Sequence, residues 1–167
     1  MKTLYYILPI AAAVMLSSCE KDEVIHEVPF VSPVGGMSAK VGGALWTSEA
    51  PYTQVSSQTG RTTFIGTSLV GSTASKQIVL TIKGDLAEGV YKGDKVEASY
   101  SIDNLSNRTT QNFTNDGTKG SATVTITEID KVNKMVSGTF TFTAKAADGG
   151  SDLKKVTEGM FTDLRLK

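Results

Sequence analysis

Short runs in which apolar and polar residues alternate recur along most of the chain beyond residue 36. In one of them Ile78, Leu80 and Ile82 fall on the same face of a strand, with period two. Glycine-rich turns such as Gly42-Gly43 separate the runs, because glycine readily adopts positive φ. No long segment has the period of an amphipathic helix. The pattern therefore predicts an all-β domain of about eight to ten short strands.

The alternation is clearest in the segment 122–145, where Val124 and Ile126 precede a turn and Val136, Phe140 and Phe142 follow it. This segment predicts a β-hairpin. Antiparallel strands in this number must pair into two sheets or close on themselves, because open edges promote aggregation. We expect an antiparallel β-sandwich, and a small closed β-barrel remains the alternative.

The first residues differ in kind from this domain. Lys2 precedes an apolar run, Leu4–Leu16, which has the length of a signal-peptide core and is shorter than the roughly 20 residues that span a bilayer. The motif Leu16-Ser17-Ser18-Cys19 that follows resembles the bacterial lipobox. The resemblance implies cleavage before Cys19 and attachment of acyl chains (diacylglycerol and palmitate) to it. The alternative is a plain secretory signal followed by a free thiol.

Lipidation explains why the chain contains a single cysteine. Acylated Cys19 has no free thiol, so it forms no disulfide and ligates no metal. Several acyl chains anchor a protein stably, whereas a single chain binds marginally. The sequence thus predicts three segments: a signal peptide (1–18), the lipidated cysteine with a flexible tether (19–36), and one all-β domain (37–167).

Charged residues follow the cysteine at once. Lys21, Asp22 and Glu23 resemble the lipoprotein export signal of Bacteroidota, which directs lipoproteins across the outer membrane. The resemblance implies a protein anchored in the cell outer membrane and facing the cell exterior. The alternative is a charged linker without an export role.

The charge balance excludes one class of partner. The chain carries 17 basic and 17 acidic residues, and its isoelectric point is about 6.6. Nucleic-acid binding calls for a basic patch and a high isoelectric point. We therefore expect no nucleic-acid partner.

Catalytic chemistry finds little support in the sequence. His26, the only histidine, lies in the tether and is poorly placed for a catalytic triad, and a zinc site would need more His or Cys ligands. Glu128 and Asp130 have a spacing compatible with a glycosidase pair, but they stand at a strand end, where charged residues are common. The Asp148 and Asp152 region is better explained as a turn than as a calcium loop. We predict no catalytic residue, no metal and no cofactor.

The longest polar segment of the domain, residues 104–121, is the best candidate for a binding loop. Amide and guanidinium groups bind sugar hydroxyls and peptide groups, and loops on a rigid scaffold often carry recognition. The alternative is a polar loop without a partner. Trp46, the only tryptophan, is expected in the core. The candidate binding residues are Asn104, Asn107, Arg108, Gln111, Asn112 and Asn115.

The domain also resembles a family of uncharacterised domains carried by Bacteroidota lipoproteins. A G-x-x-W strand near the start and an I-T-x-x-D … V-S-G-T-F-x-F hairpin near the end carry the resemblance. The matching positions are Gly43, Trp46, Ile126, Thr127, Asp130, Val136, Ser137, Gly138, Thr139, Phe140 and Phe142. The resemblance covers most of residues 36–167 and implies no known activity.

Together these features predict a non-catalytic binding or accessory module for an extracellular glycan, peptide or protein, held to the membrane by its acyl chains. The alternative is a structural envelope lipoprotein that partners a membrane complex.

Overall fold

The computed structural model describes residues 31–115 and 121–167. These residues form eleven antiparallel strands and no α-helix, with single 3-10 turns at Ala50–Tyr52 and Gly93–Lys95. The strands are β1 (Gly36–Val41), β2 (Ala44–Ser48), β3 (Thr53–Gln58), β4 (Arg61–Val70), β5 (Ala74–Lys83), β6 (Gly89–Lys92), β7 (Val96–Asn104), β8 (Thr109–Asn115), β9 (Ala122–Asp130), β10 (Met135–Ala146) and β11 (Leu153–Arg165).

All strands belong to one sheet, ordered β2-β1-β11-β10-β8-β7-β5-β4-β3, and a branch adds β9 beside β10 and β6 beside β9. The sheet curls until its two edges approach, so the fold is a nearly closed barrel. The predicted all-β class is confirmed. Of the two predicted alternatives, sandwich and barrel, the chain forms the barrel. A single sheet results because β10 joins both halves: β9 pairs with its first part and β8 with its end.

The inner face of the curled sheet is filled by alternate side chains of every long strand. At its centre the Phe161 ring stacks on Phe64, with centroids 4.9 Å apart, and on Phe140 at 6.3 Å. All three rings are almost completely buried. Burial of such rings contributes about 1.5–3 kcal/mol each, so this aromatic cluster is a substantial part of the core's stabilisation.

Side chains close the gap between the two edges. Trp46 of β2 packs on Gly66 of β4, where a Cβ atom would lie 2.7 Å from the indole ring. The Trp46 Nε1 donates a hydrogen bond to the Lys76 carbonyl oxygen (3.2 Å), and the Thr67 N–H donates to the Ser48 Oγ (2.9 Å). The expectation that Trp46 lies in the core is confirmed, since it is 3% exposed.

Bulges bend β11 around the barrel. Its register with β10 shifts twice, and Glu158 and Asp163, each with φ of 52°, lie at those points. Gly159 follows the first bulge, and a Cβ there would lie 2.5 Å from the Phe140 ring. The bulges therefore let β11 curve over large aromatic side chains.

The barrel has two distinct ends. The β3–β4 and β9–β10 turns lie at one, and the β4–β5, β7–β8 and β10–β11 turns lie at the other. The chain joins β1 at the first end, where the Gly35 N–H donates to the Thr162 carbonyl oxygen (2.8 Å). We call the first the tether end and the second the far end. At the tether end Ser32 is buried and its Oγ donates to the Gly36 carbonyl oxygen, so the last part of the predicted tether (19–36) contacts the barrel.

Candidate functional site

The segment predicted as a binding loop folds largely as the β7–β8 hairpin. Asn104 ends β7, residues 105–108 form a turn at the far end, and Thr109–Asn115 form β8. Residues 116–120 lie outside the described part of the chain. The loop interpretation is therefore wrong for residues 109–115, because pairing with β7 makes a strand of a segment whose own residues are mostly polar.

Two of the predicted contact residues hold the turn. The Asn104 Oδ1 accepts hydrogen bonds from the Ser106 N–H (3.0 Å) and the Asn107 N–H (3.3 Å). The Asn107 Oδ1 accepts from the Thr109 N–H (3.2 Å) and hydroxyl (2.7 Å). Arg108 has φ of 56°, in the left-handed region. These amide oxygens satisfy the backbone, which is the usual role of Asn in turns.

The remaining candidates lie on different faces of β8. Successive strand residues point to opposite faces, so Gln111 shares the face of buried Phe113, whereas Asn112 lies on the outer face. Asn115 is 2% exposed, and its Nδ2 donates to the Thr143 carbonyl oxygen at 3.4 Å. The structure therefore does not bring the six predicted residues together as one surface.

A polar cleft of about 190 Å³ lies beside this hairpin. It is lined by β8 and by the β10–β11 turn: Thr110, Gln111, Asn112, Phe113, Ala146, Ala147, Asp148 and Asp152. The Ala147 N–H donates to the Asn112 carbonyl oxygen (2.8 Å) and fixes the turn against β8. We call this feature the far-end cleft.

One edge of β8 is open next to the far-end cleft. On the side away from β7, β8 pairs with β10 only at Phe113 and Thr114. Among the described residues no strand lies beside the segment 109–111 on that side. An open strand edge offers main-chain donors and acceptors to a ligand.

The far-end cleft combines two amide residues, two carboxylates and a nearby cation. The Asp148 Oδ1 accepts from the Gly150 N–H (2.9 Å), and the Lys154 Nζ lies 5.0 Å from the centroid of the Phe113 ring. Sequence reasoning did not connect Asp148 and Asp152 with Gln111. No local sequence signal indicates that these residues are neighbours, because only the order of strands in the sheet brings the β10–β11 turn to β8.

The possible glycosidase pair belongs to a second cleft, of about 410 Å³, at the tether end. Three carboxylates line it, those of Glu128, Asp130 and Asp163. The Asp130 carboxylate accepts hydrogen bonds from the Asn133 N–H (2.9 Å), the Asn133 Nδ2 (2.6 Å) and the Val132 N–H (2.9 Å). The bonds from Asn133 and then that from Val132 lower the pKa of Asp130. A general acid needs a raised pKa, so Asp130 is suited to holding the turn instead.

The tyrosines differ in exposure. Tyr100 is 3% exposed and lies in the core against Phe113, and burial raises its pKa. Tyr91 is partly buried, and its hydroxyl accepts a hydrogen bond from the Ala87 N–H (2.7 Å). Tyr52 is exposed. Of the three, only Tyr52 has an exposed ring, and it lies away from the far-end cleft.

Within residues 31–115 and 121–167, no group of three or more His, Cys, Asp or Glu side chains is placed to hold a metal ion. In that same part of the chain no helix is long and apolar enough to cross a membrane. The predicted lipobox (Leu16–Cys19), the export signal (Lys21, Asp22 and Glu23) and His26 lie outside the described residues.

Comparison with known proteins places the barrel in a family. Residues 35–165 match the family described as Domain of unknown function (DUF6252). The chain belongs to this family. The match spans all eleven strands and begins where the chain joins the barrel. No curated protein and no solved structure matches the chain. The predicted membership of an uncharacterised domain family is confirmed.

Proposed function

We propose that this protein is a lipid-anchored, non-catalytic binding module of the bacterial outer membrane, facing the cell exterior. In this proposal Cys19 carries the acyl chains, and Lys21, Asp22 and Glu23 direct the chain to the surface. The far end then binds an extracellular glycan, peptide or protein. The arrangement of the barrel supports this orientation, because the chain joins it at the end opposite the β7–β8 turn.

The far-end cleft is the observation that carries the proposal. Gln111, Asp148 and Asp152 are all exposed, and they offer both donors and acceptors beside the open edge of β8. Such groups bind hydroxyl-rich or peptide ligands with directional hydrogen bonds. A rigid scaffold lies beneath them, since Phe113 and the end of β10 are buried. A preformed polar cleft of this kind reduces the ordering cost of binding.

The non-catalytic part of the proposal draws support from the carboxylates at the tether end. Asp130 satisfies backbone groups of its own turn and has a lowered pKa. In the same cleft the Ser137 Oγ accepts from the Asp163 N–H (3.0 Å), so this serine also serves a bulge. These side chains support local backbone geometry, which is a structural role.

A binding screen with matched variants tests the proposal. The purified chain is applied to arrays of oligosaccharides and of extended peptides, next to the triple variant Gln111→Ala, Asp148→Asn, Asp152→Asn. A control variant, Gln58→Ala, Asp85→Asn, Asp94→Asn, removes the same exposed groups away from the far end. We expect the wild-type chain to bind an array member. The triple variant should bind it at least tenfold more weakly, and the control should bind it as the wild type does. Absence of binding, or equal binding by both variants, would contradict the proposal.

A second candidate function is a structural role in the envelope. Leu69, Val70 and Leu105 are 50%, 44% and 57% exposed at the far end. The Leu105 N–H donates to the Thr73 carbonyl oxygen (2.8 Å), so the β4–β5 and β7–β8 turns are adjacent. Exposed apolar side chains of neighbouring turns suit a protein partner. Cross-linking in cells from position 105 to a membrane complex, without ligand binding on the arrays, would favour this function.

A further inference from the structure

The tether end carries a further cleft, which has no part in the proposed binding function. Its volume is about 440 Å³. It is lined by Ser57, Leu86, Ile129, Lys131, Lys134, Leu166 and Lys167. Leu86, Ile129 and Leu166 are partly buried and pack against the core, so they form an apolar floor. We call this feature the lysine cleft.

Lysines of the β9–β10 turn stand at the rim of this floor. Lys131 and Lys134 are exposed, and neither takes part in an ion pair within the described residues. The carboxylates of Asp130 and Glu88, next to this cleft, accept hydrogen bonds from backbone groups. Asp130 accepts from its own turn, and the Glu88 Oε1 accepts from the Ile129 N–H (3.2 Å). The rim therefore presents ammonium groups whose charge is not matched by a direct partner.

An apolar side chain stands between the two lysines. Val132, at the tip of the turn, is 91% exposed, the highest value among the large exposed hydrophobic side chains of the described residues. The turn that carries it is held by Asp130, so exposure of Val132 is fixed by the fold. Cations flanking an exposed apolar side chain match the interfacial region of a membrane, where phosphates lie next to acyl chains.

The course of the chain brings this end towards the predicted anchor. Val34 forms a bridge with Thr162, beside the β9–β10 turn, and Val34 lines a cleft together with Asp130. The segment between Cys19 and Val31 spans at most about 40 Å, from its length and about 3.6 Å per residue. An anchored barrel is therefore held close to the lipid with this end free to approach it.

We propose that the tether end docks on an anionic lipid surface. Lys131 and Lys134 contact headgroup phosphates or carboxylates, and Val132 enters the interfacial layer. This inference rests on the proposed lipid anchor, and it adds an orientation: docking at the tether end directs the far-end cleft away from the membrane. Each lysine near an anionic surface contributes about a fivefold factor to binding.

Vesicles of defined composition test the inference with the acylated protein. A cysteine at position 132 (Val132→Cys) carries an environment-sensitive fluorophore, since the acylated Cys19 has no free thiol. The protein is reconstituted in vesicles of phosphatidylcholine alone and of phosphatidylcholine with phosphatidylglycerol. We expect a blue shift of emission only on the anionic vesicles. The shift should weaken at 0.5 M salt, because the Debye length falls to about 4 Å.

A matched pair of charge variants identifies the contact. Lys131→Gln with Lys134→Gln should lower the ratio of docked to undocked protein about 25-fold. Arg108→Gln with Lys145→Gln removes the same charge at the far end and should leave the ratio unchanged.

Three results would overturn the inference. The first is equal emission on neutral and anionic vesicles, which would indicate that the acidic segment 20–27 or no ligand occupies the cleft. The second is an equal effect of both charge variants. The third is association with neither type of vesicle, and this result would overturn the lipid anchor as well.

Discussion

The turns of the β7–β8 and β9–β10 hairpins have the same construction at opposite ends of the barrel. Each has four residues between the strands, and an Asx side chain precedes them: Asn104 in one and Asp130 in the other. In both, that side chain accepts hydrogen bonds from the N–H groups two and three residues later. In both, the last turn residue, Arg108 or Lys134, has φ of 56°.

The surroundings of the two turns differ. β9 and β10 pair along almost the whole length of β9, above an apolar floor. In the described part of the chain β8 pairs with β10 only at Phe113 and Thr114, which leaves an open edge there beside a polar cleft. Local turn chemistry is therefore common to both ends. What each end can bind depends on the strands that the sheet places next to the turn.

The largest effect is expected from a substitution in the core that both ends share. Phe161→Ala deletes the ring that stacks on Phe64 and Phe140, and it should lower the free energy of unfolding by about 3–5 kcal/mol. Hydrogen exchange should increase at both ends together, because one core supports them. Thr141→Ala, at an exposed position of β10, serves as the control. Faster exchange at one end alone would contradict a shared core.

Removing the Asx side chain tests whether the two turns contribute equally. Asn104→Ala should lower the free energy of unfolding by about 1 kcal/mol, the usual contribution of such hydrogen bonds. Asp130→Ala should cost more, because hydrogen bonds to a charged acceptor are stronger. Urea unfolding of both variants provides the measurement. A smaller loss for Asp130→Ala would contradict the hydrogen bonding described for the β9–β10 turn.

The pH dependence of the two turns separates them further. The pKa of Asp130 is lowered in the folded state, so its stabilising effect is present above the unfolded pKa of about 3.9 and is lost as pH falls through the folded pKa. The difference between wild type and Asp130→Asn should therefore decrease below pH 4. The difference between wild type and Asn104→Ala should not change with pH. Urea titrations between pH 2 and 7 would reveal equal pH profiles if this account is wrong.

The smallest effect is expected from substitutions that relieve backbone strain at the last residue of each turn. Glycine adopts positive φ without the steric cost of a side chain, so Arg108→Gly and Lys134→Gly should each stabilise the protein by up to about 1 kcal/mol. Thermal unfolding measures both. Only Lys134→Gly should also weaken docking on anionic vesicles. If Arg108→Gly weakened docking equally, the two ends would not differ as described.

Much of the fold was predictable because its signals are local. The alternation of Val124, Ile126, Phe140 and Phe142 indicates the β9–β10 hairpin directly. The sequence pattern did not predict β8, because Phe113 is the only apolar residue of that strand. The segment becomes a strand through pairing with β7. Closure of the barrel depends on the contact of Trp46 with Gly66, and no periodicity in the sequence reports a contact between distant strands.

The candidate site was less predictable for the same reason. Amide-rich composition draws attention to the β7–β8 hairpin, but composition does not reveal that the oxygens of Asn104 and Asn107 are used by the turn. Asp148 and Asp152 line the far-end cleft only because the sheet order brings β10 next to β8. The lysine cleft likewise combines Leu86 with Lys131 from separate hairpins.

The central claim is that the two ends of the barrel face opposite ways on the cell, and thiol labelling of intact cells tests it most directly. Leu105→Cys reports on the far end and Val132→Cys on the tether end, and both positions are exposed in the fold. With a membrane-impermeant maleimide, we expect rapid labelling at position 105 and at least tenfold slower labelling at position 132. Equal rates at both positions, or labelling at neither until the cells are lysed, would contradict the account.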